Sequence, residues 1–308
     1  MEVDLVYLWV DDSDPKWKAK KNKLLGEESF NKDSIDDCRF KNNDELKYSL
    51  RSVEKYAPWI NNIYVVTDNQ IPEWLNTDHP KIKMVDHKEI LPAEALPTFN
   101  AYVIEYGLPF IKGLSENFLF ANDDMFIWNE VDKDFFFKNG KPICRLGSKI
   151  YNKPYRHIYG GNIVKTYKMM KEKYGIDIPY FPHHNIDAYN KTLFKQCIEE
   201  FKDEYEKTLK HNFREMGDLS RMIVSYYSIY KDGAEEKHVG QNWLCKLLKL
   251  QLGESCLVNL KQSSMQKILK SKAKLMCIND TRKTTDNDRK SIKAVLEKKF
   301  PKKSEYER

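Results

Sequence analysis

Residues 118–124 read FLFANDD, an apolar run that meets an asparagine and two aspartates, and MFIW (125–128) is apolar again. A buried carboxylate costs several kcal/mol, or shifts its pKa, unless something partners it. The stretch is therefore either a polar turn between buried segments or the edge of a site that holds a cation. Three further runs in the first half end the same way. VDLVYLWV (3–10) meets Asp11, NIYVV (62–66) meets Thr67 and Asp68, and KIKMV (81–85) meets Asp86. Short runs rich in Val, Ile and aromatics, bounded by polar residues, read as buried strands. Between the first two lies NNDELKYSLRSVEKYAPW (42–59), where Leu46, Leu50 and Val53 keep helical spacing. Asn43 or Asp44 can cap that helix, and Pro58 stops it. Strands alternating with helices predict an α/β fold with a mainly parallel sheet. Such sheets bind ligands beyond the carboxyl ends of their strands, which is where all four runs carry an acid.

The second half predicts a mainly helical part. Helices are expected over 186–209, over 218–231 with Asp218 as its cap, over 240–252, and over 286–300 up to Pro301. Segment 140–182 is rich in Gly and Pro and reads as loop, with room for a strand or lid. No internal repeat or low-complexity linker divides the chain. The expectation is one unit over 1–308, with 1–135 as the α/β part and 136–308 as the helical part that completes the site. The tail KKFPKKSEYER (298–308) is expected to fray.

Composition sets the class. Of 308 residues 41% are hydrophobic and 32% charged, and the mean hydropathy of −0.69 predicts a soluble globular chain. No apolar stretch approaches the roughly 20 residues of a membrane helix. The start, MEVDLVYLWVDD, has early acids and no basic region, so no signal peptide is read and a cytoplasmic location is expected. Six scattered cysteines (38, 144, 197, 245, 256, 277) form no CxxC pair, which predicts reduced structural thiols. The net charge of +6 comes from lysines spread along the chain, without a nucleic-acid-binding signature. It suits a phosphate-bearing substrate or a peripheral contact with an anionic membrane face.

Adjacent strand residues point to opposite faces, so Asp123 and Asp124 address one ligand only if the chain turns there. Mg²⁺ or Mn²⁺ takes one or two carboxylates plus phosphate oxygens and neutralises charge during cleavage of a diphosphate. A solvated turn with an Asx cap explains the pair equally simply. Three other stretches bear on the choice. PHHNID (182–187) holds adjacent histidines, HNFREMGD (211–218) holds His211 and Arg214, and MCIND (276–280) is another apolar run ending in Asn-Asp. Singly they read as surface histidines, a surface ion pair and a helix cap. Together they supply metal-ligand candidates, a base near neutral pKa and a permanent cation, the parts of a phosphoryl-transfer site.

In these stretches the sequence resembles the Stealth family of sugar-1-phosphate transferases, which includes bacterial capsular polysaccharide phosphotransferases and the catalytic core of the animal N-acetylglucosamine-1-phosphotransferase. The first signature block resembles DLVYLWVDDSDP (4–15). The second resembles residues 39–76, with VDHKEILP (85–92), LPTFNAYVIE (96–105) and GLSENFLFANDDMF (113–126). PHHNID with FREMGD resembles the third, and CIND (277–280) the fourth. The resemblance spans residues 4–280 in family order.

It implies a glycosyltransferase-A-like core and transfer of sugar-1-phosphate from a nucleotide sugar, a UDP-sugar such as a UDP-N-acetylhexosamine. The acceptor is a glycan hydroxyl, free or lipid-linked; a phosphodiester forms and nucleoside monophosphate leaves. It further implies Asp124 and Asp280 as metal or catalytic acids for Mg²⁺ or Mn²⁺, with Asn122 positioning them. His183 or His184 is implied as catalytic histidine, His183 being the expected one, and Arg214 as the arginine on the phosphate. Asp11, Arg39 and Asn100 are implied around the donor. Asp12 stands where the first block usually has glycine. Two rival readings remain: a metal-dependent glycosyltransferase that moves only the sugar and releases nucleoside diphosphate, and a non-catalytic nucleotide-sugar-binding protein.

Overall fold

The computed structural model describes the chain apart from residues 28–29, 152, 240–252 and 263–264. All four acid-ended runs are strands of one sheet: β1 (Val3–Leu8), β2 (Ile63–Thr67), β3 (Ile82–Asp86) and β4 (Asn117–Asn122), in the order β3-β2-β1-β4. Each neighbouring pair is parallel. The register sets Leu8 opposite both Val66 and Asn122, so the carboxyl ends form one edge. The α/β class with a mainly parallel sheet is as the sequence predicts.

Both faces are covered, which is why the strands read as continuous apolar runs. Val6, Phe118 and Phe120 pack with Val103, Tyr106, Phe194 and Ile223 on one side. Leu5, Tyr7, Leu119 and Ala121 pack on the other with Leu46, Leu50 and Val53, from α2 (Glu45–Tyr56), which follows α1 (Pro15–Glu27). Neither expected residue caps α2 with its side chain. Asp44 sits before it in the left-handed region, φ 65°, and the Glu45 carboxylate instead accepts from the Asn43 backbone N–H at 2.6 Å and its Nδ2 at 2.7 Å. The short α3 (His87–Ile90) and α4 (Ala101–Gly107) precede β4.

After β4 the chain turns at Asp123 and Asp124 into β5 (Met125–Ile127), which leaves the main sheet. It pairs antiparallel with β12 (Leu275–Asn279), itself parallel to β11 (Ser255–Asn259). MCIND is therefore a strand end and not a helix cap. A third sheet holds β6 (Phe137–Lys138), β7 (Lys141–Lys149), β8 (Tyr180–Pro182) and β10 (Glu235–His238).

The C-terminal half carries helices, with several departures from expectation. Segment 140–182 contains α5 (Ile158–Tyr174), a 17-residue helix with Gly160 and Gly161 inside it. A Cβ at Gly161 would lie 2.6 Å from the sulfur of the exposed Met216 side chain, which would have to shift. Residues 186–209 are not one helix. Asp187–Asn190 form β9, antiparallel on the β4 edge with Phe120 opposite Asp187. Asn190 then caps α6 (Lys191–Glu200), which α7 (Lys202–Leu209) follows. Pairing with an exposed sheet edge outweighs local helical spacing here. Next comes α8 (Met222–Tyr230), which Asp218 does not cap. The helix expected over 240–252 lies outside the described residues. A short α9 (Met265–Leu269) was not foreseen, and α10 (Asp286–Lys299) begins with a Thr285–Asp288 capping box.

The tail is docked, not frayed. Tyr306 is buried, Arg308 donates its N–H to Trp74 at 2.9 Å, and Glu307 receives two Arg51 nitrogens at 2.8 and 2.9 Å. The five described cysteines are free thiols, as expected. No described helix is long and apolar enough to cross a membrane.

Candidate active site

A cleft of about 910 Å³ opens at the carboxyl edge of the main sheet. Residues far apart in sequence line it: Arg39, the Asn122–Asp123–Asp124 turn, His184, Arg214 and Asp280. Three expected residues are not among the lining. Asp11 holds a turn, with its carboxylate accepting from the Ser13 N–H and from Asn42 Nδ2. Asn100 is fully buried as the cap of α4. His183 is turned to the β11 side, where its Nδ1 is 3.2 Å from Ser255 Oγ.

The turn between β4 and β5 brings both aspartates to the cleft, because neither is held in an extended strand. Ile278 donates its N–H to the Asp124 carbonyl at 3.0 Å, which pins the turn to β12. Asp124 Oδ2 receives the Cys277 thiol at 3.5 Å, while its Oδ1 is buried with no hydrogen-bond partner among the described residues. Burial pushes the Asp124 carboxyl up to about 6, and the negative charge of Asp280 adds to this. Asp123 is raised by burial and by the charges of Glu45 and Asp124. Glu45 is raised too, by burial first, against the Asn43 hydrogen bonds that favour its charged form. Uncompensated buried acids of this kind are what a hard divalent cation relieves. Asp280 differs: Arg289 grips it with Nε at 2.8 Å and Nη2 at 3.2 Å. Among the described residues no three acidic, histidine or cysteine groups form a ready-made metal cage. The fit is to a cation that takes one or two carboxylates and completes its shell with phosphate oxygens.

His184 lies in the bend between β8 and β9, with Nδ1 3.4 Å from the Tyr159 hydroxyl. Burial, then the positive charges of Arg221, His183 and Arg214, bring its pKa down to about 3. It is a neutral imidazole throughout the physiological range. Burial and the Arg145 charge also lower His183, to about 4.

Arg214 sits in the connector between α7 and α8, its guanidinium 5.2 Å from the Tyr102 ring centre. Asp218 organises that connector. Its carboxylate accepts from Asn100 Nδ2 at 2.9 Å and from the Glu215 N–H at 2.8 Å, and pairs with His211 at 2.6 Å. Asn100 and Asp218 thus position Arg214 from behind. Arg39 stands at the mouth of the cleft, and desolvation against the wall, then the like charge of Arg214, pull it down to about 10. Two mutually repelling guanidiniums facing one cleft are arranged for an anion between them.

Sequence reading passed over Glu45, Glu105 and Arg221, all of which line the cleft. Glu45 lies in the first turn of α2 and Glu105 within α4, and no local pattern of the sequence marks either as facing a cleft. Arg221 lay one position before a helix, where an arginine carries no local signal.

Three family profiles match the chain: Stealth protein CR1, conserved region 1, over residues 1–29; CR2, conserved region 2, over 39–144; and CR3, conserved region 3, over 183–229. Every cleft residue named above lies in the second or third region except Tyr159 and Asp280. The chain is 34% identical to a capsular polysaccharide phosphotransferase of Haemophilus influenzae, covering 91% of this chain and 78% of that one. It is 31% identical to an exopolysaccharide phosphotransferase of Lactiplantibacillus plantarum, covering 100% and 96%, and 31% identical to a capsular polysaccharide phosphotransferase of Streptococcus pneumoniae, covering 99% of each. Among solved structures it superposes on the galactosyltransferase LgtC in complex with donor and acceptor sugar analogues (TM-score 0.46, 11% identity, 96% of this chain and 95% of that one). An active-site mutant of LgtC gives a TM-score of 0.47 at 12% identity, covering 98% of each.

Proposed function

The chain belongs to the Stealth family, and from that premise we propose that it transfers a sugar-1-phosphate from a nucleotide sugar to a glycan hydroxyl in capsular or exopolysaccharide synthesis. The observation that carries the reading is the meeting of Asp124, His184, Arg214 and Arg39, drawn from distant parts of the sequence, in one cleft. The donor is a UDP-sugar, and the acceptor a glycan chain, free or lipid-linked, reached from the cytoplasmic side.

The acceptor oxygen attacks the phosphorus that carries the sugar. The bond from that phosphorus to the bridging oxygen breaks, and the nucleoside monophosphate leaves. With its Nδ1–H donated to Tyr159, His184 keeps Nε2 free to take the acceptor proton. The imidazole is neutral in the cleft, and the negative charge of a bound diphosphate would raise its affinity for the acceptor proton. Arg214 and Arg39 hold the non-bridging phosphate oxygens and offset charge that grows during transfer. Asp124, with Asp123 beside it, would hold Mg²⁺ or Mn²⁺, which would supply neutralisation of the diphosphate when bound, while the Asp280 carboxylate is already balanced by Arg289. The net charge of +6, from lysines spread along the chain, suits a phosphate-bearing substrate or a peripheral membrane contact.

Incubation with a panel of UDP-sugars and Mg²⁺ or Mn²⁺ tests this. Nucleoside monophosphate as product, with a phosphodiester resonance in the glycan by ³¹P NMR, is expected. Diphosphate alone, with no phosphorus kept in the glycan, gives the protein to the rival glycosyltransferase reading.

A further inference from the structure

One wall of the cleft carries polar atoms that the phosphoryl chemistry does not use. Tyr102 and Glu105 stand one turn apart on α4, and Arg221 precedes α8; all three line the cleft, and all are at least nine-tenths buried. Tyr102 Oη, Glu105 Oε2 and Arg221 Nε have no hydrogen-bond partner among the described residues. Arg221 Nε and Glu105 Oε2 face each other at 3.3 Å, near enough for charge attraction, but without the alignment of a hydrogen bond. Arg221 Nη1 is committed to Asp187 at 2.7 Å, and its guanidinium lies 4.3 Å from the Phe120 ring centre. Buried polar atoms are nearly always hydrogen-bonded, so an unpartnered phenol beside an ion pair that makes no hydrogen bond marks a place where a partner is missing.

The chemistry of the wall restricts that partner. A phosphate is repelled by the Glu105 carboxylate, and a cation by the Arg221 guanidinium. An apolar group would leave all three atoms unsatisfied, at a cost for each. What remains is a neutral group with several hydroxyls, able to donate to the carboxylate and accept from the phenol and guanidinium. Arg214, which packs over the Tyr102 ring, lies beside this wall. A sugar bonded to a phosphate gripped by Arg214 is directly next to it.

We propose that Tyr102, Glu105 and Arg221 form the subsite for the hydroxyls of the transferred sugar, and so set which sugar the enzyme accepts. This rests on the reading of the cleft as a nucleotide-sugar site. The Arg221 ion pair with Asp187 fixes the guanidinium against β9, Glu105 accepts from one sugar hydroxyl, and the Tyr102 phenol serves a second.

Calorimetry with UDP and with UDP-glucose, UDP-galactose and UDP-N-acetylglucosamine, in the presence of Mn²⁺, tests the proposal on the full chain. The wild type is expected to bind at least one sugar conjugate more tightly than UDP. Glu105→Gln should erase roughly tenfold of that difference, the size of one hydrogen bond to a charged group, while affinity for UDP stays unchanged. Tyr102→Phe is the second variant. Its hydroxyl has no partner within the described protein, so the melting temperature should hold or rise while the preference for the sugar conjugate falls severalfold. A wild type with no preference over UDP, or variants that keep it, overturns the proposal and assigns the orphan atoms to water. An equal loss of UDP affinity, or a Tyr102→Phe protein that melts lower with its preference intact, also overturns it. The phosphoryl-transfer reading fails on a different measurement, nucleoside diphosphate as product, which leaves the binding difference untouched.

Discussion

Two apolar strands of this protein end in Asn-Asp and meet across one cleft, yet their carboxylates are in different states. Asp124, in the turn after β4, keeps one buried oxygen without a partner and is pushed up to about 6. Asp280, just after β12, is clamped by both arms of Arg289. Strand ends that look alike in sequence thus present one acid short of positive charge and one already supplied with it. On the proposed reading, the first gains a cation from outside. The second has its charge balanced from within, and its more evident task is to hold the β12 edge against α10.

The largest effect is expected at the unsatisfied acid. Asp124→Asn should keep the melting temperature within a few degrees while lowering turnover by about 10³-fold, comparable with losing a principal electrostatic contact in a transition state. A variant with near-normal turnover at saturating substrate would break the contrast.

The two neighbouring histidines sharpen the same point. His184→Ala should cost about 10²-fold or more as the base is lost, and His183→Ala, turned toward Ser255, should be mild. That order reverses the expectation drawn from the motif, and a severe His183→Ala with a mild His184→Ala would restore it. Arg214→Lys should fall about as far as Arg214→Ala, because an ammonium does not reproduce the two-pronged grip on phosphate. Steady-state rates of both, with donor saturating, decide this.

Asp280→Asn should be weaker, roughly tenfold in turnover, but should lower the melting temperature by several degrees because Arg289 loses its partner. Equal damage from Asp124→Asn and Asp280→Asn, without loss of stability, would mean that both acids serve the cation alike.

The smallest effect concerns pH. Carboxyls whose folded pKa is raised stabilise the fold below their unfolded pKa of about 4, and that contribution is lost as pH rises through the folded value, about 6 for Asp124. A cation that binds the ionised form reverses the loss. Mn²⁺ should therefore raise the melting temperature more at pH 8 than at pH 5. In turnover, an acid limb near pH 6 should move to lower pH as Mn²⁺ is increased, since metal and protons compete for the same carboxylates. A limb set by His184 would lie far lower, because its imidazole stays neutral down to about pH 3, and would ignore the metal.

Much of the frame was legible. The four runs are strands in parallel order because burial on both sheet faces leaves an unbroken apolar signature that sequence displays directly. α2, the helix before β2, ends before Pro58 because proline cannot continue it. Segments that pair across distance were not legible. Asp187–Asn190 reads as helix until the free edge of β4 is there to receive it. The Gly-Gly stretch reads as loop although it lies inside α5, and the tail reads as frayed until Arg51 offers Glu307 a bidentate partner.

The site divides along the same line. Sequence alone determined which residue types are present and the strand ends on which the acids fall, because apolar periodicity and polar termination are local properties of the chain. Tertiary structure alone decided which of those groups face the cleft and which are already partnered. It turned His184 into the cleft and His183 out of it, withdrew Asp11 and Asn100 into turn and cap, balanced Asp280 but not Asp124, and brought Glu105 and Arg221 into the wall. Burial and the charge of neighbours set each of those states, and both depend on residues the fold brings together, from Arg289 nine positions from Asp280 to Asp218 more than a hundred from Asn100.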